Sequence, residues 1–176
     1  MVSSELFIQI VQNAPLVAVD LVICGERGTV LLGLRNNEPG RAMWFVPGGC
    51  VLKGERVADA FSRILSREVR ALAFDFANAK LLGVFEHFHE NNFAGQEGIP
   101  THYVVLAYRL QLDRCLPLVP GDAQHDHFKW FTPREAALDD RVDRYTKEYF
   151  ENGISLGPAG FFNEGRTNNE LENADV

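Results

Sequence analysis

Nowhere does this sequence reach 18 uninterrupted apolar residues, so it offers no segment able to cross a bilayer as a helix. Its first residues lack the basic start and apolar stretch of a secretion signal. Cysteine is scarce: Cys24, Cys50 and Cys115 are odd in number, widely spaced and form no Cys-x-x-Cys pair. That pattern fits reduced thiols in a reducing compartment and excludes a disulfide framework. Together these absences lead us to expect a cytoplasmic protein. Repeats and low-complexity segments are also missing. So is any excess of positive charge: 17 Lys and Arg against 24 Asp and Glu give −7. Residues 151–176 account for −4 of this, with five acids against Arg166. The remaining body is mildly acidic, which speaks against a nonspecific nucleic-acid binder or a protein drawn to an anionic membrane. Any phosphate binding must therefore be local.

What is present is the composition of a globular protein, 46% hydrophobic and 11% aromatic over 176 residues, enough for one domain with a sizeable core. Ser3 or Ser4 can cap a short helix through Val11, which Asn13-Ala14-Pro15 ends. Leu16 to Ile23 reads as a strand buried on both faces and interrupted by Asp20. A second strand, Thr29 to Leu34, ends at Arg35, and Asp20 and Arg35 are candidates either for a structural ion pair or for ligand binding. Beyond a central helix, strands are expected from Leu81 to about His89 and from Thr101 to Leu112. On the first of these, His87 and His89 share one face. Asp113 to Asp126 lacks periodicity and reads as a long, functional loop before an aromatic strand, Phe128 to Phe131. Thr132-Pro133 opens a helix, a second helical segment covers about Arg141 to Phe150, and from Asn152 a flexible acidic tail is expected.

The most informative stretch is Trp44 to Leu72. A short apolar run closes on Pro47-Gly48-Gly49, where paired glycines let the backbone turn sharply and a ligand approach the main chain. Val57, Ala60, Phe61, Ile64, Leu65 and Leu72 then recur at helical spacing. Glu68 falls in the middle of that apolar stripe. An unpaired buried carboxylate costs several kcal/mol, so Glu68 must be neutral, paired with a cation, or bound to a metal.

Gly49, Glu55, Arg63 and Glu68 stand at the offsets of the Nudix box, and on them the stretch resembles a Nudix hydrolase. The resemblance implies an α/β (α+β) fold, an α/β/α sandwich with a mixed central sheet, as a single domain over residues 1–150. In such proteins a loop and helix hold a divalent cation, Mg²⁺ or alternatively Mn²⁺, against a nucleotide diphosphate. The box departs from the usual pattern at Ile64, Arg67 and Arg70, so one carboxylate of the helical cluster is left.

A narrower resemblance, to the GDP-mannose mannosyl hydrolase subfamily, rests on several longer strings. They are PLVAVD (15–20), LLGLR (31–35), WFVPGG, HFHENNFAG (87–95), THYVVL (101–106) and QHDHFKW (124–130). It implies that the Gly48 carbonyl, Glu68 and Gln124 ligate the metal and that His125 is the general base. Asp20, Arg35, His87 and Tyr103 would surround the sugar and diphosphate. An arginine of that subfamily near the leaving group is replaced by Cys50, a weaker donor, which leaves Arg63 to serve that charge. The implied activity is hydrolysis of a nucleotide sugar, GDP-mannose or GDP-glucose, to GDP and free sugar, with inversion at the anomeric carbon. The implied partner state is a homodimer. Three other readings stay open: a Nudix pyrophosphohydrolase attacking phosphorus, a zinc site built from His87, His89, His125 and His127, and a nucleotide-binding module without turnover.

Overall fold

The computed structural model describes residues 3–38, 40–70, 73–116, 119–120 and 125–151. Helix α1 (Ser4–Asn13) begins where the Ser3 hydroxyl accepts the Leu6 N–H at 3.3 Å. It ends because Ala14, ahead of a proline, is forced into extended backbone (φ −154°, ψ 148°). Strand β1 (Leu16–Cys24) then runs parallel to β7 (Thr101–Gln111) along its whole length. On the other edge of β7 lies β6 (Lys80–His89), antiparallel to it.

What positions the site is a fork on the other side of β1. Its last residue, Cys24, pairs with Val30 of β2 (Val30–Arg35), while residues 18–20 pair instead with β4 (Gly48–Cys50). Between them β2 diverges to pair with β3 (Trp44–Phe45) and with β9 (His125–Phe131). The segment from Trp44 to Cys50 is thereby led into the fork, and its glycines stand beside Asp20.

Helices cover both faces of the sheet. Helix α2 (Val57–Glu68) buries Ala60, Phe61, Ile64 and Leu65 against Val19, Leu21 and Ile23 of β1. Phe61 meets Phe76 and Tyr108 edge to face, at ring separations of 5.2 and 6.0 Å. On the opposite face Val22, Cys24, Val30 and Leu32 pack with Trp44 and Phe131. Helices α3 (Pro133–Leu138) and α4 (Arg144–Glu151) close that layer through Ala136 and Tyr149. This is the expected mixed α/β sandwich. At the start of α3 the Thr132 hydroxyl accepts the Glu135 N–H while the Glu135 carboxylate accepts the Thr132 N–H, a reciprocal cap.

Boundaries differ from the sequence reading most at α2, β9 and α4. Helix α2 stops at Glu68 instead of continuing to Leu72, because β-branched Val69 turns extended (φ −117°, ψ 96°). Val69–Arg70 becomes β5, paired with β8 (Val119–Pro120). The segment taken as one long loop to Asp126 therefore contains β8, and strand β9 starts at His125, three residues earlier than Phe128. Helix α4 begins at Arg144, not Arg141, since the Asp143 carboxylate accepts the N–H groups of Tyr145 and Thr146 and so caps it. Leu72, Gln124 and the tail from Asn152 lie outside the described residues.

Candidate active site

Strand β4 is where the two halves of the site meet. The Leu21 N–H bonds to the Pro47 carbonyl and the Val51 N–H to the Val17 carbonyl, so the polar groups of Gly48 point away from β1. The Gly48 N–H donates to Glu68 Oε2 at 2.9 Å. A side chain at Gly49 would face Ile64 and Glu68, whereas one at Gly48 would collide with Asp20 Oδ1. Successive residues of one short strand thus face a helical carboxylate on one side and a strand carboxylate on the other, and Gly48 is required for the second approach.

On the α2 side, Glu68 is 2% exposed at the last turn of the helix. Ile64, one turn earlier, is packed in the core, and Arg67 is exposed. Arg63 is committed elsewhere. Its Nε and Nη2 donate to Glu55 at 2.6 and 2.8 Å, and Nη2 also donates to the Cys50 carbonyl at 2.9 Å. Glu55 in turn accepts the Leu52 N–H at 2.8 Å. These bonds hold the Glu55 carboxyl down, to about 2, and tie the loop after β4 to the helix. The oxygens that could serve a cation here are the Glu68 carboxylate and the backbone oxygen of Gly48. Both are hard oxygen ligands, which suits Mg²⁺ or Mn²⁺ with water and phosphate completing the shell.

On the other side of β4, Asp20 is joined to helix α4. Its Oδ2 accepts the Tyr149 hydroxyl at 2.6 Å, and that hydroxyl lies 3.2 Å from His87 Nε2. Burial pushes the Asp20 carboxyl up to about 6, opposed by the Tyr149 bond and the charge of Arg35. Burial, with the charges of His89 and Arg144, brings the His87 imidazole down to about 4. His87 is stacked on Tyr145 (4.3 Å, 17°) and stands across from Tyr103 in the β6–β7 ladder. The Tyr103 phenol is raised, first by burial and then by Cys50. Burial and nearby Asp20 also raise the Cys50 thiol, to about 11, so it is neutral and brings no charge to the pocket. Arg35 lies 5.1 Å over the Phe45 ring, and its Nε is buried with no hydrogen-bond partner. No direct ion pair joins Asp20 to Arg35 among the described residues, so the structural pairing foreseen as one alternative is not formed.

The structure therefore brings Asp20, His87, Tyr103 and Cys50 together, sets Gly48 between them and Glu68, and keeps Arg63 on the loop. His125 is not on a loop. It is buried at the start of β9, opposite Arg35, with its ring against Gly33 and Phe128. In the zinc alternative His87 lies 6.4 Å from His89, ring to ring, and stacks on Tyr145, while His127 meets the edge of Trp44. Among the described residues no group of three or more His, Cys, Asp or Glu is arranged to hold a metal. Tyr145 and Tyr149 went unnoticed in the sequence, although their spacing of four on a helix aligns them on one face.

Comparison with known proteins agrees with this fold. Residues 14–152 match the family described as NUDIX domain. The low-salt glycan biosynthesis protein Agl8 of Haloferax volcanii is 44% identical over 137 residues, covering 77% of this chain and 83% of that protein. The MutT protein of Methanosarcina mazei superposes with a TM-score of 0.63 at 17% identity, covering 79% of this chain and 93% of its own. A MutT NUDIX hydrolase of Burkholderia pseudomallei gives 0.61 at 25% identity, covering 80% and 98%.

Proposed function

The chain belongs to the NUDIX family, and on that premise we propose that it is a divalent-metal-dependent hydrolase of a nucleotide sugar, releasing a nucleoside diphosphate and the free sugar. The observation that carries this reading is the partition made by β4. One buried helical carboxylate, Glu68, stands on one side, and the aromatic, hydrogen-bonding group of Asp20, His87 and Tyr103 stands on the other. A site that attacks phosphorus profits from several carboxylates, which can bind further cations and activate water beside the phosphate. Here Ile64 is core and Arg67 is exposed, so α2 offers Glu68 alone of that cluster. The similarity to a protein named for glycan biosynthesis supports a sugar-bearing substrate, with GDP-mannose and GDP-glucose the first to try.

Glu68 and the Gly48 carbonyl, with Gln124, would hold the cation. When bound, it neutralises the charge that grows on the departing diphosphate. Arg35 adds a guanidinium beside the pocket, and Arg63 acts through the loop it anchors. Asp20, His87 and Tyr103 orient the sugar. His125, on the strand next to Arg35, takes the proton of the attacking water, which approaches the anomeric carbon from the face opposite the diphosphate and inverts it. Incubation with Mg²⁺ and a panel of nucleotide sugars, with products separated by chromatography, tests the reading. Nucleoside diphosphate and free sugar are expected; nucleoside monophosphate and sugar phosphate would overturn it.

A further inference from the structure

We propose that Tyr149 is a positioning residue that sets the direction of the hydrogen bonds joining Asp20 and His87 beyond β4, so that both face the ligand as acceptors. The inference rests on the nucleotide-sugar reading and says which part of that ligand the pocket takes. Tyr149 is 1% exposed, with its ring held edge-on against Phe85 at 4.9 Å, so its hydroxyl has little freedom. That hydroxyl owns one hydrogen and meets two partners, Asp20 Oδ2 at 2.6 Å and His87 Nε2 at 3.2 Å. An ionised carboxylate can only accept, and 2.6 Å is the length of a charge-assisted O–H···O bond, so the hydrogen goes to Asp20. The phenolic oxygen must then accept from His87, which fixes the neutral imidazole as the Nε2–H tautomer.

The consequence falls on the other ring nitrogen. His87 Nδ1 is left with a bare lone pair, and it makes no hydrogen bond among the described residues. Asp20 Oδ1, lying over Gly48, is a second acceptor. Two acceptors set side by side favour O–H donors, such as the hydroxyls of a hexose, over phosphate oxygens at that part of the pocket. The diphosphate is thereby directed to the Glu68 side of β4. A pocket of unfixed polarity would lack this discrimination.

Nitrogen-15 NMR of the His87 ring at pH 8 reads the tautomer in the intact protein without any substitution. Protonation at Nε2 is expected, and protonation at Nδ1 overturns the proposal. In Tyr149→Phe, which keeps the ring and removes the hydroxyl, the His87 signals should move toward tautomer averaging. KM for the nucleotide sugar should rise about tenfold, the effect of roughly one or two hydrogen bonds, while binding of the nucleoside diphosphate alone changes less than twofold. Equal weakening of both ligands would mean a merely structural role and would also overturn it. If no nucleotide sugar is turned over, the functional reading fails, yet the tautomer in the unsubstituted protein still decides the role of Tyr149.

Discussion

Asp20 and His87 carry opposite pH signatures within one hydrogen-bonded group. The Asp20 carboxyl is raised from 3.8 to about 6, so its contribution to stability is complete below about pH 4 and is lost as pH rises through 6. The His87 imidazole is lowered from 6.5 to about 4, so its contribution is complete above pH 6.5 and is lost as pH falls through 4. Between about pH 4 and 6 the two slopes oppose each other. Relative to the unsubstituted protein, Asp20→Asn should therefore gain a melting temperature that climbs with pH across that window, and His87→Gln one that declines. Calorimetry at several pH values checks both, and parallel curves for all three proteins would refute the assignment. Glu68→Gln keeps the acceptor for the Gly48 N–H but removes the charge. Mg²⁺-dependent turnover should fall by about two orders of magnitude or more with little change in melting temperature, and unchanged metal affinity would contradict the ligand role.

At the scale of the elements, β4 and the end of α2 depend on each other. A methyl at Gly48 would meet the Asp20 carboxylate, so Gly48→Ala should displace that carboxylate and lower kcat/KM for a nucleotide sugar by tenfold or more while the protein stays folded. Wild-type kinetics in that variant would show that Asp20 is not needed where it lies. Removing the ring of Phe61, buried under α2 beside Phe76 and Tyr108, should cost about 3–5 kcal/mol in denaturant unfolding, the usual range for a core Phe→Ala change. Here the sequence was legible because helical spacing exposes α2 and the strong caps at Ser3 and Thr132 mark real starts. It was less legible at helix ends. Nothing local in Val69 announces that β5 will pair with Val119–Pro120 some 50 residues away, and that distant pairing ends α2 at Glu68. The same holds for His125, whose place on a strand is decided by pairing with Arg35.

At the scale of the molecule, the fork between β1 and β2 explains why residues from six separate stretches of sequence converge. Asp20 comes from β1, Gly48 from β4, Glu68 from α2, His87 and Tyr103 from neighbouring strands, and Tyr149 from α4. Motif spacing could find Gly49, Glu55, Arg63 and Glu68 because they lie on one loop and helix. Tyr149 could not be found that way, since its partner Asp20 is 129 residues distant. On the proposed function the diphosphate lies on the Glu68 side and the sugar on the Tyr149 side, with the bond to be broken between them. Hydrolysis in water enriched in heavy oxygen, sampled early by mass spectrometry, tests that division most directly. Attack at the anomeric carbon predicts the label in the released sugar and none in the nucleotide; label in a phosphate of either product would contradict it.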